Sequence, residues 1–414
     1  VILGGGLAVM PFLPRLVGGE CPPDANLYVM FALYLAATVM DYVLFGYVNA
    51  IFSAYQREDT RLKIMTVRYI VQYVLQIFIL AVFRNYYAYL VTLPLMVIPN
   101  SIANYIAARK QYPDIVCRGT PPAEIKASVY HRVKTLFGHK VGNTLMVNVD
   151  SILITAFLGL SLQSLYSNYY YIVTAVNGVV EILTAACLAG IGNKLITDPE
   201  EENHTLFLNL SYGWVALIGF CAACMLCLFQ PFVGGIWIGQ EGLLSESFVI
   251  FMTLFFYSWM FRIMQLTYRD AAGLWTRDWL KPYVSMALKL ILSVVLVKLT
   301  NDIIGVLLPT ILVMFFVYFP WEAKVLYKYQ FRRGWGVYLK RIVLYTLINL
   351  VGAAGCYFVC LLVSPANTAL SFLIRLALVA VLFPLVWLAT TGRSREFRYC
   401  FGLAKTYLLR RKGG

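Results

Sequence analysis

Residues 149–172, VDSILITAFLGLSLQSLYSNYYYI, place an acid at the head of one apolar run, a glycine at its end, and tyrosines at the head of the next. An apolar run carrying Asp150, a short break and a second apolar run describe two successive membrane spans. Asp150 lies near the middle of its span, where a lipid-facing carboxylate costs about 2.5–3.5 kcal/mol on insertion scales. Four more charges sit inside apolar stretches: Asp41, Glu181, Arg262 and Lys289. Five such groups facing lipid would cost about 12–17 kcal/mol together. They are therefore expected to face one another or a water-filled cavity. A helical bundle around a polar, charged interior is the physical description of a transporter.

Composition agrees. The chain has 414 residues, 60% of them hydrophobic and 13% charged, too few charges to cover a soluble surface. Spans are predicted near 1–17, 28–53, 64–83, 86–107, 141–160, 164–190, 206–230, 247–268, 281–300, 303–321, 338–362 and 367–390. The fold class is all-α, a polytopic membrane helix bundle of about twelve spans. Alternate threading leaves most of the 34 Lys and Arg on one side, while the opposite loops keep only Arg15, Arg84 and Lys298. The positive-inside rule makes the basic side cytoplasmic and puts both chain ends there. The net charge of +14 thus reads as membrane topology, with no nucleic acid as partner.

Two basic connections stand out. In 108–140, turn residues around Pro113, Pro121 and Pro122 precede an amphipathic segment from Glu124, with Ile125, Val129, Val133 and Phe137 on one stripe. In 322–342, EAKVLYKYQFRRGWGVYLKR precedes a last pair of spans whose internal charge is Arg375. The basic tail 393–412 is expected on anionic lipid, and the acids Asp198 and Glu200 to Glu202 in a solvated loop. Cys221, Cys224 and Cys227 mimic metal-ligand spacing, but no His or carboxylate neighbours them, so no metal site is expected. His131, His139 and His204 fall in or beside cytoplasmic loops without a partner motif.

Polar residues align at helical spacing within several spans. Ser167, Thr174, Asn177, Glu181 and Thr184 share one face; so do Ser258, Arg262, Gln265 and Arg269; Ser285, Lys289 and Ser293; Arg68, Gln72 and Gln76; and Asn100 and Asn104. The candidate pathway residues are Arg262, Lys289, Asn177, Gln265, Arg68, Gln72 and Gln76. Cations at membrane depth suit an anionic ligand such as a diphosphate. Asp150, Glu181 and Asp41 are candidates for balancing those cations or for coupling to H+ or Na+. Tyr166, Tyr169, Tyr170 and Tyr171 either stack on sugar rings or belong to an interfacial aromatic belt.

The stretch 149–172 resembles that of the polysaccharide-repeat (Wzx-type) flippases, of the multidrug/oligosaccharidyl-lipid/polysaccharide exporter superfamily. The shared pattern is Asp150, an apolar run, Gly159, and the Tyr-Ser-Asn-Tyr of Tyr166 to Tyr169. Five further stretches are similar in order: AYQRED at 54–59, NYIAARKQYP at 104–113, AGIGN at 189–193, PFVGGIWIG at 231–239 and RDAAGLWTRDWLKP at 269–282.

The resemblance implies two pseudo-symmetric six-helix lobes with a V-shaped central cavity, plus a C-terminal helix pair. It assigns lobe one to 1–110, a basic linker to 111–140, lobe two to 141–321, the accessory pair to 322–392 and a basic tail to 393–414. It implies fourteen helices in a full-length chain, so that Val1 follows a truncation of two. The implied activity is flipping undecaprenyl-diphosphate-linked oligosaccharide repeat units across a bacterial plasma membrane for surface polysaccharide synthesis. Polysaccharide polymerases and glycosyltransferases would be its partners, and no cofactor is expected beyond a coupling ion. Two other readings remain: a drug or small-cation exporter, against which the cationic lining speaks, and a polytopic polymerase or glycosyltransferase, which lacks the loop carboxylates and histidines such chemistry needs.

Overall fold

The computed structural model describes residues 2–17, 25–44, 46–55, 57–115, 122–364 and 366–410. Val1, the turn residue Pro121, and the side chains of His131, Phe137 and His139 lie outside the described set. Every regular element among the described residues is helical. Among the described residues nine helices are long and apolar enough to cross a membrane, a bent pair makes a tenth span, and two further apolar helical stretches are Ile2–Val17 and Met146–Leu158. These correspond one for one to the predicted spans, so the chain is a multi-pass membrane helix bundle.

The chain divides into two compact units, Val1–Tyr130 and His131–Gly414. In the first, α1 (Ile2–Val17) is one of the short helices. The bent span is α2 (Leu27–Val43) and α3 (Gly46–Ala54), with 53° between them. Next come α4 (Glu58–Val82) and α5 (Tyr86–Gln111). Asn26 and Asn85 begin α2 and α5 by accepting first-turn amides, as N-caps do. α5 packs against α2, α3 and α4. Its Thr92 accepts a buried 2.9 Å bond from the Gln76 amide of α4.

The division falls inside α6 (Ala123–Leu158). The amphipathic segment from Glu124 and the span carrying Asp150 both lie on this helix. Ile125, Val129 and Val133 are exposed on it. Gly159, at φ +96°, makes the turn between the two apolar runs in a backbone region that other residues rarely adopt. It leads into α7 (Leu160–Thr197).

α8 (Glu200–Phe232) is the axis of the second unit, packing against α9 (Glu246–Met260), α14 (Gly336–Val363), α15 (Ala369–Thr391) and α16 (Arg395–Arg410). Asn349 knots this junction. Its amide donates to the Val215 carbonyl at 3.0 Å and the Tyr257 hydroxyl at 3.2 Å, and its carbonyl accepts from the Trp387 indole at 2.9 Å. One polar side chain thus joins α8, α9, α14 and α15. Gly219 makes that approach possible: a Cβ there would lie 1.9 Å from Asn349 Oδ1. Small residues at close helix crossings are how membrane bundles gain packing contacts without a hydrophobic driving force.

The remaining elements are α10 (Ile263–Ala271), α11 (Lys281–Thr300), α12 (Ile304–Val313) and α13 (Phe319–Tyr329), the last two joined through a wide π turn, Met314–Tyr318. The predicted connection 322–342 shrinks to a short loop, because α13 carries the span on to Tyr329. Most of the basic tail is helical. It forms α16, which docks on α8 through the Cys400 thiol, 3.3 Å from the Asn209 carbonyl, and on α14 through an Arg341–Glu396 ion pair. The acids Glu200 to Glu202 form the first turn of α8, where acidic side chains suit the helix dipole, and Glu200 and Glu201 pair with Arg333.

Candidate functional site

Charges inside the second unit are gathered, and none of the predicted cations there stands alone. The span 246–271 breaks at Phe261–Arg262, between α9 and α10, and Arg262 leaves that break 4% exposed. One guanidinium nitrogen lies 2.6 and 2.7 Å from the two carboxylate oxygens of Glu322 on α13. Lys281, at the start of α11, donates to the same carboxylate at 2.5 Å and lies 2.7 Å from Asp278. Arg269, on α10, completes the set with bonds of 2.7 Å to both Asp278 and Asp270. Three cations thus meet three carboxylates, and only Asp270 of the six is well exposed. The rings of Tyr318 and Trp259 cover Arg262, and Tyr318 also lies 4.9 Å from the Lys281 ammonium.

A second, smaller cluster joins α6, α11 and α12. The Lys289 ammonium donates to Asp150 at 3.0 Å and to the Met146 carbonyl at 2.5 Å. The Thr310 hydroxyl donates weakly to the same carboxylate at 3.4 Å. All three residues are at most 1% exposed. Asp150 and Lys289, predicted separately as ion-coupling and substrate-pathway residues, are one another's counter-ion.

Of the two placements expected for the buried charges, Arg262 and Lys289 take the one in which charges face one another, each against a carboxylate. Removing a charge from water without a partner is far costlier than pairing it, so each cation found an acid on another helix. Gln265 is likewise committed: its amide donates to the Phe319 carbonyl at 2.8 Å and its carbonyl accepts from Tyr338 at 3.2 Å. Tyr166 and Tyr169 belong to the core. The Tyr169 hydroxyl donates to Gln230 and accepts from the Leu244 amide, leaving Tyr171 exposed beside Trp237. His204 does have partners, the Tyr327 hydroxyl at 3.0 Å and Arg333 at 3.2 Å.

Asn177 is half-buried on α7, its carbonyl oxygen without a partner among the described residues. Glu181, one turn on, is exposed, as is Asp41 in the last turn of α2. In the first unit, Arg68 lies over the Tyr69 ring at 4.4 Å and beside a cavity of about 400 Å³ between α4 and α5. Asn100 and Lys63 share that cavity's lining. Gln72 and Gln76 are buried on the same helix as Arg68. Among the described residues Arg375 pairs with no acid. It donates to the Ser364 carbonyl at 2.6 and 3.0 Å and to the Cys227 carbonyl at 3.2 Å, a cation placed at the end of α14 where the helix dipole favours it.

Glu322 and Asp278 are the members of this cluster that the sequence reading passed over. Each carried a signal. Asp278 stands three residues before Lys281, within one helical turn, and Glu322 directly follows an apolar run containing no other charge. Chemically, the larger cluster is a store of three cations whose anionic partners are side chains, exchangeable in principle for an anionic group of similar charge.

No protein-family model matches the chain, and no curated protein sequence does. Among solved structures, its fold is similar to that of the lipid II flippase MurJ in an inward closed conformation. The TM-score is 0.66 at 14% sequence identity, covering 94% of this chain and 80% of that one. The fold class is therefore that of a polytopic membrane helix bundle.

Proposed function

We propose that the chain flips undecaprenyl-diphosphate-linked oligosaccharide repeat units across the bacterial plasma membrane, supplying surface polysaccharide assembly. The observation that carries this reading is the likeness of nearly the whole chain to a lipid II flippase. The buried clusters supply a rationale for an anionic head group. A diphosphate presents the charge and the paired oxygens that Arg262, Arg269 and Lys281 now take from Glu322 and Asp278. Exchange of those carboxylates for the diphosphate would draw the head group into the bundle while the isoprenoid tail stays in lipid. Protonation of Asp150 would free Lys289 and loosen α6 from α11, giving a coupling ion a place to act. Arg68 and Asn100 supply polar groups to the cavity between α4 and α5. Both chain ends are cytoplasmic in this reading, and polymerases and glycosyltransferases act before and after it.

The test is complementation in a bacterium lacking its own flippase, assaying surface polymer and accumulated lipid-linked repeat units. The unmutated chain restores polymer, and Arg262→Lys, Arg269→Lys and Lys281→Met variants of equal abundance reduce it about tenfold or more. Restoration untouched by all three leaves the cluster as structural glue and removes it from the pathway.

A further inference from the structure

The inward turn of Glu322 and Asp278 has an outward consequence. Their neighbours in sequence, Lys324 and Arg277, are exposed, as is Lys328 one turn along α13. Among the described residues no carboxylate pairs with any of the three. Arg277 and Lys328 instead lie 5.0 and 5.2 Å from the ring centre of Tyr329. These cations border a recess of about 460 Å³, within the size range of ligand pockets. Its opposite end is apolar, formed by Val317 and by Phe316, which is 73% exposed. Trp321 stands between the two ends.

That gradient has a membrane's dimensions. From Phe316 to Lys328 a helix rises about 18 Å, close to the depth of one leaflet from its acyl chains to its head groups. Trp279 and Tyr283 are exposed near Arg277 at the start of α11, and both are residue types enriched where membrane head groups begin. The apolar end falls on the π turn Met314–Tyr318, whose wider coil pushes Phe316 outward while Met314 and Tyr318 stay buried.

We propose that this recess binds an anionic phospholipid of the surrounding membrane, with its phosphate against Arg277, Lys324 and Lys328 and an acyl chain along Phe316 and Val317. Glu322 lies on the opposite face of α13 from Lys324, so the bound lipid braces the helix that holds the buried cation cluster. The inference goes beyond the transport reading, because lipid retention is measured without any transport.

The experiment is native mass spectrometry of the full chain from mixed micelles holding phosphatidylglycerol and phosphatidylcholine in equal amounts. Phosphatidylglycerol is retained preferentially. Each cation near a lipid surface contributes about 1 kcal/mol, so Lys324→Gln with Lys328→Gln lowers the preference about 30-fold at 1.4 kcal/mol per tenfold. Lys324→Arg with Lys328→Arg preserves it, and so does the equal charge loss of Lys110→Gln with Lys126→Gln in the first unit. If the double Gln variant does not fold, Arg277→Gln alone reads a loss of about fivefold on the same scale. An unmutated chain without preference overturns the proposal, as does an equal drop in the first-unit control. Displacement of the lipid by millimolar inorganic pyrophosphate also overturns it, by showing a site for free phosphoryl groups.

Discussion

Glu322 is the residue on which the interior of the second unit depends, since it is fully buried and touches both Arg262 and Lys281. Removing one partner of a buried ion pair typically costs about 3–5 kcal/mol, because a charge is left without compensation. Glu322→Ala is expected to destabilise the chain by that amount in chemical denaturation, and Glu322→Gln by less, since an amide still accepts from Lys281. The pair of Lys289 and Asp150 predicts a different pattern. Lys289→Met and Asp150→Asn should each cost about 3–5 kcal/mol, whereas the double variant should cost far less than their sum, a coupling of about 2 kcal/mol or more. Additive costs would mean that the two groups do not compensate one another. That these residues were special could be read from the sequence, because each is a charge in an apolar span. Their partners were not readable. Asp150 and Lys289 stand 139 residues apart, and such a separation has no helical period to reveal it.

At the scale of the element, close crossings and docked helices carry the predictions. Gly219→Leu places a side chain where Asn349 now sits, and should break the four-helix junction at a cost of about 3 kcal/mol or more. Asn349→Ala in the same background should recover part of that loss, as seen in thermal unfolding. α16 offers an independent probe. Burial against α8 pushes the Cys400 thiol up to about 11, so at pH 7 it is protonated and unreactive. Maleimide labelling of Cys400 should therefore be slow in the native chain and accelerate when Arg341→Ala removes the ion pair with Glu396. Rapid labelling of the native chain would show α16 undocked. The two spans around Gly159 were legible because a short break between apolar runs needs no tertiary information. The extent of α13 was not, since Glu322, Lys324 and Lys328 look like loop charges until the fold turns one inward and two outward.

Across the whole molecule, the distribution of Lys and Arg predicts that reporters fused after residue 414 behave as cytoplasmic. A fluorescent protein should be bright there and alkaline phosphatase inactive, and the reverse result would invert the topology. The amino-acid sequence by itself determined that this is an all-helical, multi-pass membrane protein, where its spans run, and that Asp150, Arg262 and Lys289 are charges in need of partners. Those properties follow from local hydrophobicity and from the energy of moving charge into hydrocarbon, both of which sum along the chain. Only the tertiary structure decided that Arg262, Arg269 and Lys281 share their carboxylates, that Lys289 answers Asp150, and that Arg277, Lys324 and Lys328 are left facing outward. Which acid satisfies which cation depends on helix packing that brings distant segments within about 3 Å, and no pattern along one helix records that distance.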